Sequence, residues 1–70
     1  MTRHRVSSSS IRSVGYDPEN QILEIELRRG GVYQYFQVPP EAHQALIGAS
    51  SIGRFYTKFI KPEYRFRKVN

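Results

Sequence analysis

The chain contains no cysteine. That absence excludes a disulfide framework and all thiolate chemistry, and it fits a reducing compartment. No apolar run approaches the roughly 20 residues that a membrane-spanning helix needs. The N-terminal MTRHRVSSSS carries basic residues without the apolar stretch of a secretory leader. Together these absences point to a cytoplasmic protein with no membrane partner. Acidic residues are also scarce: six Asp plus Glu stand against eleven Lys plus Arg, for a net charge of +5 and a pI near 10.0. So positive a field on a small domain attracts polyanions and steers them on approach.

Seventy residues make one domain. A chain this short buries only about 60% of its unfolded surface, so a deep substrate pocket would compete with the core for the same apolar residues. Residues 1–9 read as a flexible arm, because Thr2, Arg3, His4 and Arg5 are polar and Ser7–Ser10 offers nothing to pack. The folded domain is expected over residues 10–70. A short strand over Ser10–Tyr16 leads into the turn Asp17-Pro18-Glu19-Asn20, where proline presets φ and asparagine tolerates the left-handed conformation. Leu23, Ile25 and Leu27 alternate with Glu24, Glu26 and Arg28, as in a half-buried strand. A tight turn at Arg29-Gly30-Gly31 and a third strand over Val32–Val38 complete an antiparallel meander.

Pro39-Pro40 ends that strand and suits the start of a helix. Ala42, Ala45, Leu46 and Ala49 share one helical face, with Gly48 near its end. Ser50 or Ser51 caps a second helix on which Ile52, Phe55, Tyr56 and Phe59 repeat that spacing, until Pro62 stops it. Ile52, Phe55 and Phe59 read as core. The fold class is therefore α+β: three strands followed by two short helices packed on one sheet face. The tail Glu63–Asn70 alternates aromatic and basic residues and fits either a docked extension or a further short strand.

The stretch RRGGVYQYFQVPPE raises the question of where Tyr33 and Tyr35 point. A two-residue or four-residue connection places Leu23, Ile25 and Leu27 with Val32, Phe36 and Val38 on the helix-covered face. Tyr33 and Tyr35 then lie on the opposite face beside Glu24, Glu26 and Arg28. There they either pack across their neighbours or stack on unpaired bases. Tyr16 joins them after a three-residue turn and enters the core after a four-residue one. On this register Ile25→Asp unfolds the domain, while Glu24→Gln changes stability little.

Ser13-Val14-Gly15-Tyr16-Asp17-Pro18, Tyr33-Gln34-Tyr35 followed by Phe36-Gln37-Val38-Pro39, and Ser51-Ile52-Gly53-Arg54-Phe55-Tyr56 together resemble the KTSC domain family. That family takes its name from the C-terminal segment of some lysyl-tRNA synthetases and also occurs as small stand-alone bacterial proteins. The resemblance runs from about Val6 to the end of the chain. It implies contact with RNA, by attachment to a tRNA-handling enzyme, and supplies no catalytic residues.

Catalysis finds no constellation in the residues themselves. His4 and His43 sit far apart with no metal-ligand spacing. Glu24 and Glu26 read as solvated strand residues rather than an acid–base pair. The serines lack a His and Asp at any triad spacing. No cofactor or metal is expected. The cations carry the stronger signal. Arg54, Lys58 and Lys61 form a stripe on the second helix, Arg65, Arg67 and Lys68 follow in the tail, and Arg28 and Arg29 flank the hairpin. With Tyr33 and Tyr35 these residues form the expected nucleic-acid surface, suited to tRNA or single-stranded RNA. The alternative is a protein-interaction module that recruits an acidic partner.

Overall fold

In a computed structural model that describes residues 1–70, the alternating segment becomes the central strand of a five-stranded antiparallel sheet. The strands are β1 (Arg3–Arg5), β2 (Ile11–Asp17), β3 (Ile22–Leu27), β4 (Val32–Tyr35) and β5 (Phe66–Lys68), and they lie side by side in chain order. Between β4 and β5 come α1 (Pro40–Ile47) and α2 (Ile52–Phe55), the latter prolonged by one π turn over Tyr56–Ile60. Leu46, Tyr56 and Ile60 from this helical segment meet Ile11, Val14, Leu23, Ile25, Leu27, Tyr35 and Val38 in one core. The α+β class and the order of the central elements agree with the sequence reading; the strand count does not. No helix is long and apolar enough to cross a membrane.

Two strands were not expected as such. Residues 3–5, read as part of a flexible arm, pair with β2 through Arg3↔Gly15 and Arg5↔Ser13. Gly15 makes this possible, because an added Cβ there would meet the Thr2 carbonyl oxygen at 2.8 Å. The tail resolves as the strand alternative: β5 pairs with β4 through Tyr35↔Phe66, Gln34↔Arg67 and Tyr33↔Lys68.

The facing of the tyrosines is opposite to expectation. The turn between β3 and β4 has three residues, Arg28-Arg29-Gly30, closed by Leu27 N–H to Gly31 O and Gly30 N–H to Leu27 O, both 3.0 Å. Gly30 and Gly31 sit at φ of +113° and +99°, conformations open to glycine and strained for other residues. An odd connection reverses the parity, so Leu23 pairs with Tyr35 and Ile25 with Tyr33. Tyr35 is 1% exposed on the helix-covered face, while Val32 and Gln34 occupy the other face with Glu24 and Glu26. Val38 still reaches the core, because Gln37 at φ +57° kinks the chain after β4. The β2–β3 turn has four residues, with Gln21 rather than Asn20 left-handed, and Tyr16 accordingly joins the core face. Its hydroxyl donates to Val38 O at 2.6 Å and its ring stacks on His43 at 4.4 Å.

The second helix also differs in detail. In the π turn the Lys61 N–H reaches back five residues to Tyr56 O, at 2.8 Å. Tyr56 and Ile60 face the core, with Ile60 fully buried, while Phe59 is 49% exposed and packs on Phe55 at 4.9 Å.

The Tyr35 and Tyr56 hydroxyls meet at 2.5 Å inside the core, with the rings edge to face at 5.7 Å. Burial holds both phenols protonated, Tyr35 far above the ordinary phenol range. Either Tyr→Phe change leaves one buried hydroxyl without its partner, at a cost of about 1–2 kcal/mol. The double change removes both groups, so it should cost clearly less than the sum of the singles in urea denaturation. Strict additivity would show that each hydroxyl has another partner.

Glu24 is 6% exposed, not solvated as the sequence suggests. Burial disfavours its charge, but hydrogen bonds from Gln34 Nε2 (2.8 Å) and Arg3 Nη1 (2.5 Å), with the arginine's charge, outweigh this and hold the carboxyl below the usual range. A carboxylate with a depressed folded pKa contributes stability above its unfolded pKa and loses it as pH falls through the lower folded value. Acid melts should therefore show a loss that begins in the ordinary glutamate range and is complete only below it, which Glu24→Gln flattens while lowering stability at neutral pH. An unchanged melting temperature for Glu24→Gln at pH 7 would refute this account.

Candidate nucleic-acid interface

The serine run builds one wall of the largest cleft. Ser8 Oγ accepts from Ser10 N–H and Ile11 N–H, both at 3.2 Å, and so fixes a turn where the sequence suggests nothing but an unpacked arm. Arg28 holds that turn from the hairpin side: its Nε donates to Ser8 O at 2.6 Å and its backbone N–H to Ser10 O at 2.9 Å. The opposite wall is α2. Ser51 caps it by accepting from Arg54 N–H at 3.3 Å, and Thr57 Oγ1 donates to Gly53 O at 3.0 Å. Gly53 lets the walls touch, because any side chain there would collide with Ser10 Oγ.

The cleft between these walls, about 800 Å³, is lined by the serine turn, Ser50, Ser51, Thr57, Arg54 and Lys58. An adjoining hollow of about 380 Å³ shares Ser9, Ser10 and Thr57 and adds Arg28, Arg29 and Lys61 over Leu27 and Tyr56. The two form one groove with hydroxyls along it, five cations on its rim and no acidic residue in its lining. Ser7, Ser9 and Ser50 are exposed there, so their hydroxyls are available to a ligand. Such a lining suits a chain of phosphates: point charges from lysine, forked donors from arginine and neutral donors between them.

Of the expected surface residues, Arg28, Arg29, Arg54, Lys58 and Lys61 come together on this rim. The others do not join them. Arg67 stands opposite Gln34 on the far face of the sheet, and Arg65 precedes β5, where its carbonyl accepts from Phe36 N–H. Lys68 lies beside Tyr33 on the helix side. Tyr35 is enclosed in the core, while Tyr33 is half-buried with its ring 5.9 Å from Phe66. Sequence reasoning missed the hydroxyls of the groove and the exposed ring of Phe66. The clue to the first was the capacity of a serine run to bond its own backbone, and to the second the alternation of the tail.

On the opposite sheet face the two glutamates are held by neighbouring side chains. Arg3 pairs with Glu24 at 2.5 Å and approaches Glu26 at 4.0 Å, Arg12 approaches Glu26 at the same distance, and Ser13 Oγ donates to Glu26 at 2.8 Å. Glu24 and Glu26 are thereby tied to partners rather than presented to a substrate. His4 lies on exposed β1 opposite Val14, and His43 on α1 stacks against Tyr16.

A model of the KTSC domain family matches residues 7–64. The chain is 49% identical to an uncharacterized protein of Stutzerimonas stutzeri over the full length of both. It is also 39% identical over 62 residues to a lysine–tRNA ligase of Nostoc punctiforme, covering 89% of this chain but 11% of the ligase. A solved KTSC domain protein from Yersinia pestis superposes with a TM-score of 0.95 at 49% identity, over 99% of this chain and 97% of that one. Matched by the family model over most of its length and by a member's crystal structure over nearly all of it, the chain belongs to the KTSC domain family.

Proposed function

We propose that the chain is a non-catalytic RNA-binding module that holds phosphates of a single strand in the hydroxyl-lined groove between the serine turn and α2. One observation carries this reading. Five cations from two separate segments converge on a groove that contains hydroxyl donors and no carboxylate. A solvated helix face would explain Arg54, Lys58 and Lys61; it would not explain why Arg28 and Arg29 meet Lys61 across a shared hollow. The likeness to segments of lysine–tRNA ligases supports RNA as the polyanion. The charge supplies affinity without sequence preference, as phosphate contacts do.

Five phosphate contacts on a single strand give a slope of log affinity against log salt of about −3.5, from counterion release. Replacing Lys58 and Lys61 by Gln should bring it to about −2 for any sequence. Arg67→Gln, on the other sheet face, should leave it unchanged. Fluorescence anisotropy with single-stranded RNA, tRNA and duplex DNA at several salt concentrations measures this. No binding at low salt, or equal loss from Arg67→Gln, would overturn the reading and favour recruitment of an acidic protein.

A further inference from the structure

We infer that Phe66 is a stacking platform for an unpaired nucleobase, set beside the phosphate groove; this rests on the RNA reading above. Phe66 is 55% exposed, the most open large apolar side chain in the protein. It sits in β5, held by the ladder to β4, so its place is rigid rather than a loop accident. Its ring lies 5.6 Å from Tyr35 at an interplanar angle of 35°, and 5.9 Å from Tyr33 at 57°. The two tyrosines support it from within the sheet and leave it open to solvent. Burial of a phenylalanine typically contributes about 1.5–3 kcal/mol, and this ring forgoes much of that.

Position and charge both favour a base as the occupant. Tyr56 lines the hollow that holds Arg28, Arg29 and Lys61, and its hydroxyl meets Tyr35, whose ring neighbours Phe66. The groove and the platform are therefore separated by one tyrosine pair. Lys68 flanks the platform: it pairs with Tyr33, and its Cε lies 3.4 Å from where a Cβ on Gly31 would stand. Arg67, its neighbour in the strand, faces the other side of the sheet. An apolar ring with one lysine beside it suits a planar group that carries a phosphate. Phe59, also exposed at 49%, is less suited, because Lys58 Nζ stands 5.6 Å over its ring and Phe55 packs at 4.9 Å.

The test compares a short oligouridylate with an abasic ribose-phosphate oligomer of the same length. The parent protein should bind the oligouridylate about 5- to 150-fold more tightly, the range expected from stacking one base. Phe66→Leu keeps an apolar contact with Tyr33 and Tyr35 but has no π face, and should remove most of that difference without changing the salt slope. Phe66→Ser should remove it entirely, and Phe59→Ser should preserve it. Thermal melts establish that each variant is folded. Equal affinity of the parent for the two oligomers, or an undiminished preference in folded Phe66→Leu, would overturn the platform while leaving the phosphate groove standing. Failure of the parent to bind either oligomer would instead overturn the RNA reading and the platform with it.

Discussion

Two backbone hydrogen bonds across Leu27 and Gly31 decide which side of the sheet every residue of the β3–β4 ribbon occupies. They close a three-residue turn, and Gly30 and Gly31 accept the positive φ it demands. Each bond contributes about 1 kcal/mol net. The consequence is larger, because the parity it selects sends Tyr35 into the core. Burying an aromatic ring of this size contributes about 1.5–3 kcal/mol before entropy is counted. The turn is thus the selector and the side-chain burial the energy it selects. The same parity sets Gln34 beside Glu24, where the amide satisfies a carboxylate that Arg3 satisfies from the other side. It also projects Arg28 and Arg29 towards the serine turn rather than along the sheet.

Charge is accordingly sorted by face. On the side away from the helices, Glu24 and Glu26 are matched by Arg3 and Arg12, and the acids neutralise their own cations. On the helix side, Arg54, Lys58, Lys61, Arg28 and Arg29 meet no carboxylate in the groove they surround. Five of the eleven cations thus surround one groove. Like charges held around a common hollow repel one another, a cost to folding that salt screening lowers.

Local patterns in the chain were legible where one residue's neighbours decide its state. The alternation of Leu23, Ile25 and Leu27, the proline start of α1 and a serine cap at Ser50 or Ser51 all read directly from periodicity and capping chemistry. What escaped depends on a count or a distant partner. Turn length cannot be read from Arg28-Arg29-Gly30-Gly31, since glycines fit two-, three- and four-residue connections alike, and a change of one reverses Tyr33 and Tyr35. Phe59 and Ile60 likewise both fit a helical face that contains Ile52 and Tyr56, and only the partners across the core select Ile60. β1 has no apolar alternation at all. It is a strand because Gly15 leaves room for it and Glu24 needs the guanidinium of Arg3, both far away in sequence. Of the candidate site, the cations of the helix and hairpin were readable as charge; the hydroxyl wall was not, because Ser7–Ser10 is ordered by bonds to its own backbone.

The motifs that carry the family resemblance serve mostly to hold the fold. Gly15 admits β1, Tyr16 bonds Val38, Tyr35 bonds Tyr56, and Gly53 lets α2 meet the serine turn. Membership built on such residues speaks for the fold and is silent on the ligand. Arg54 is the exception. It lies inside the third motif, yet only its backbone N–H takes part in the Ser51 cap, and its side chain stands exposed on the rim of the groove. Alanine would satisfy the cap equally well and would cover that stretch of helix with less entropy lost. A guanidinium kept there, facing three exposed serine hydroxyls and the Lys58 ammonium, has no partner within the fold that would account for it. Its chemistry, forked and permanently charged, matches a phosphate better than any group the protein itself brings to the groove.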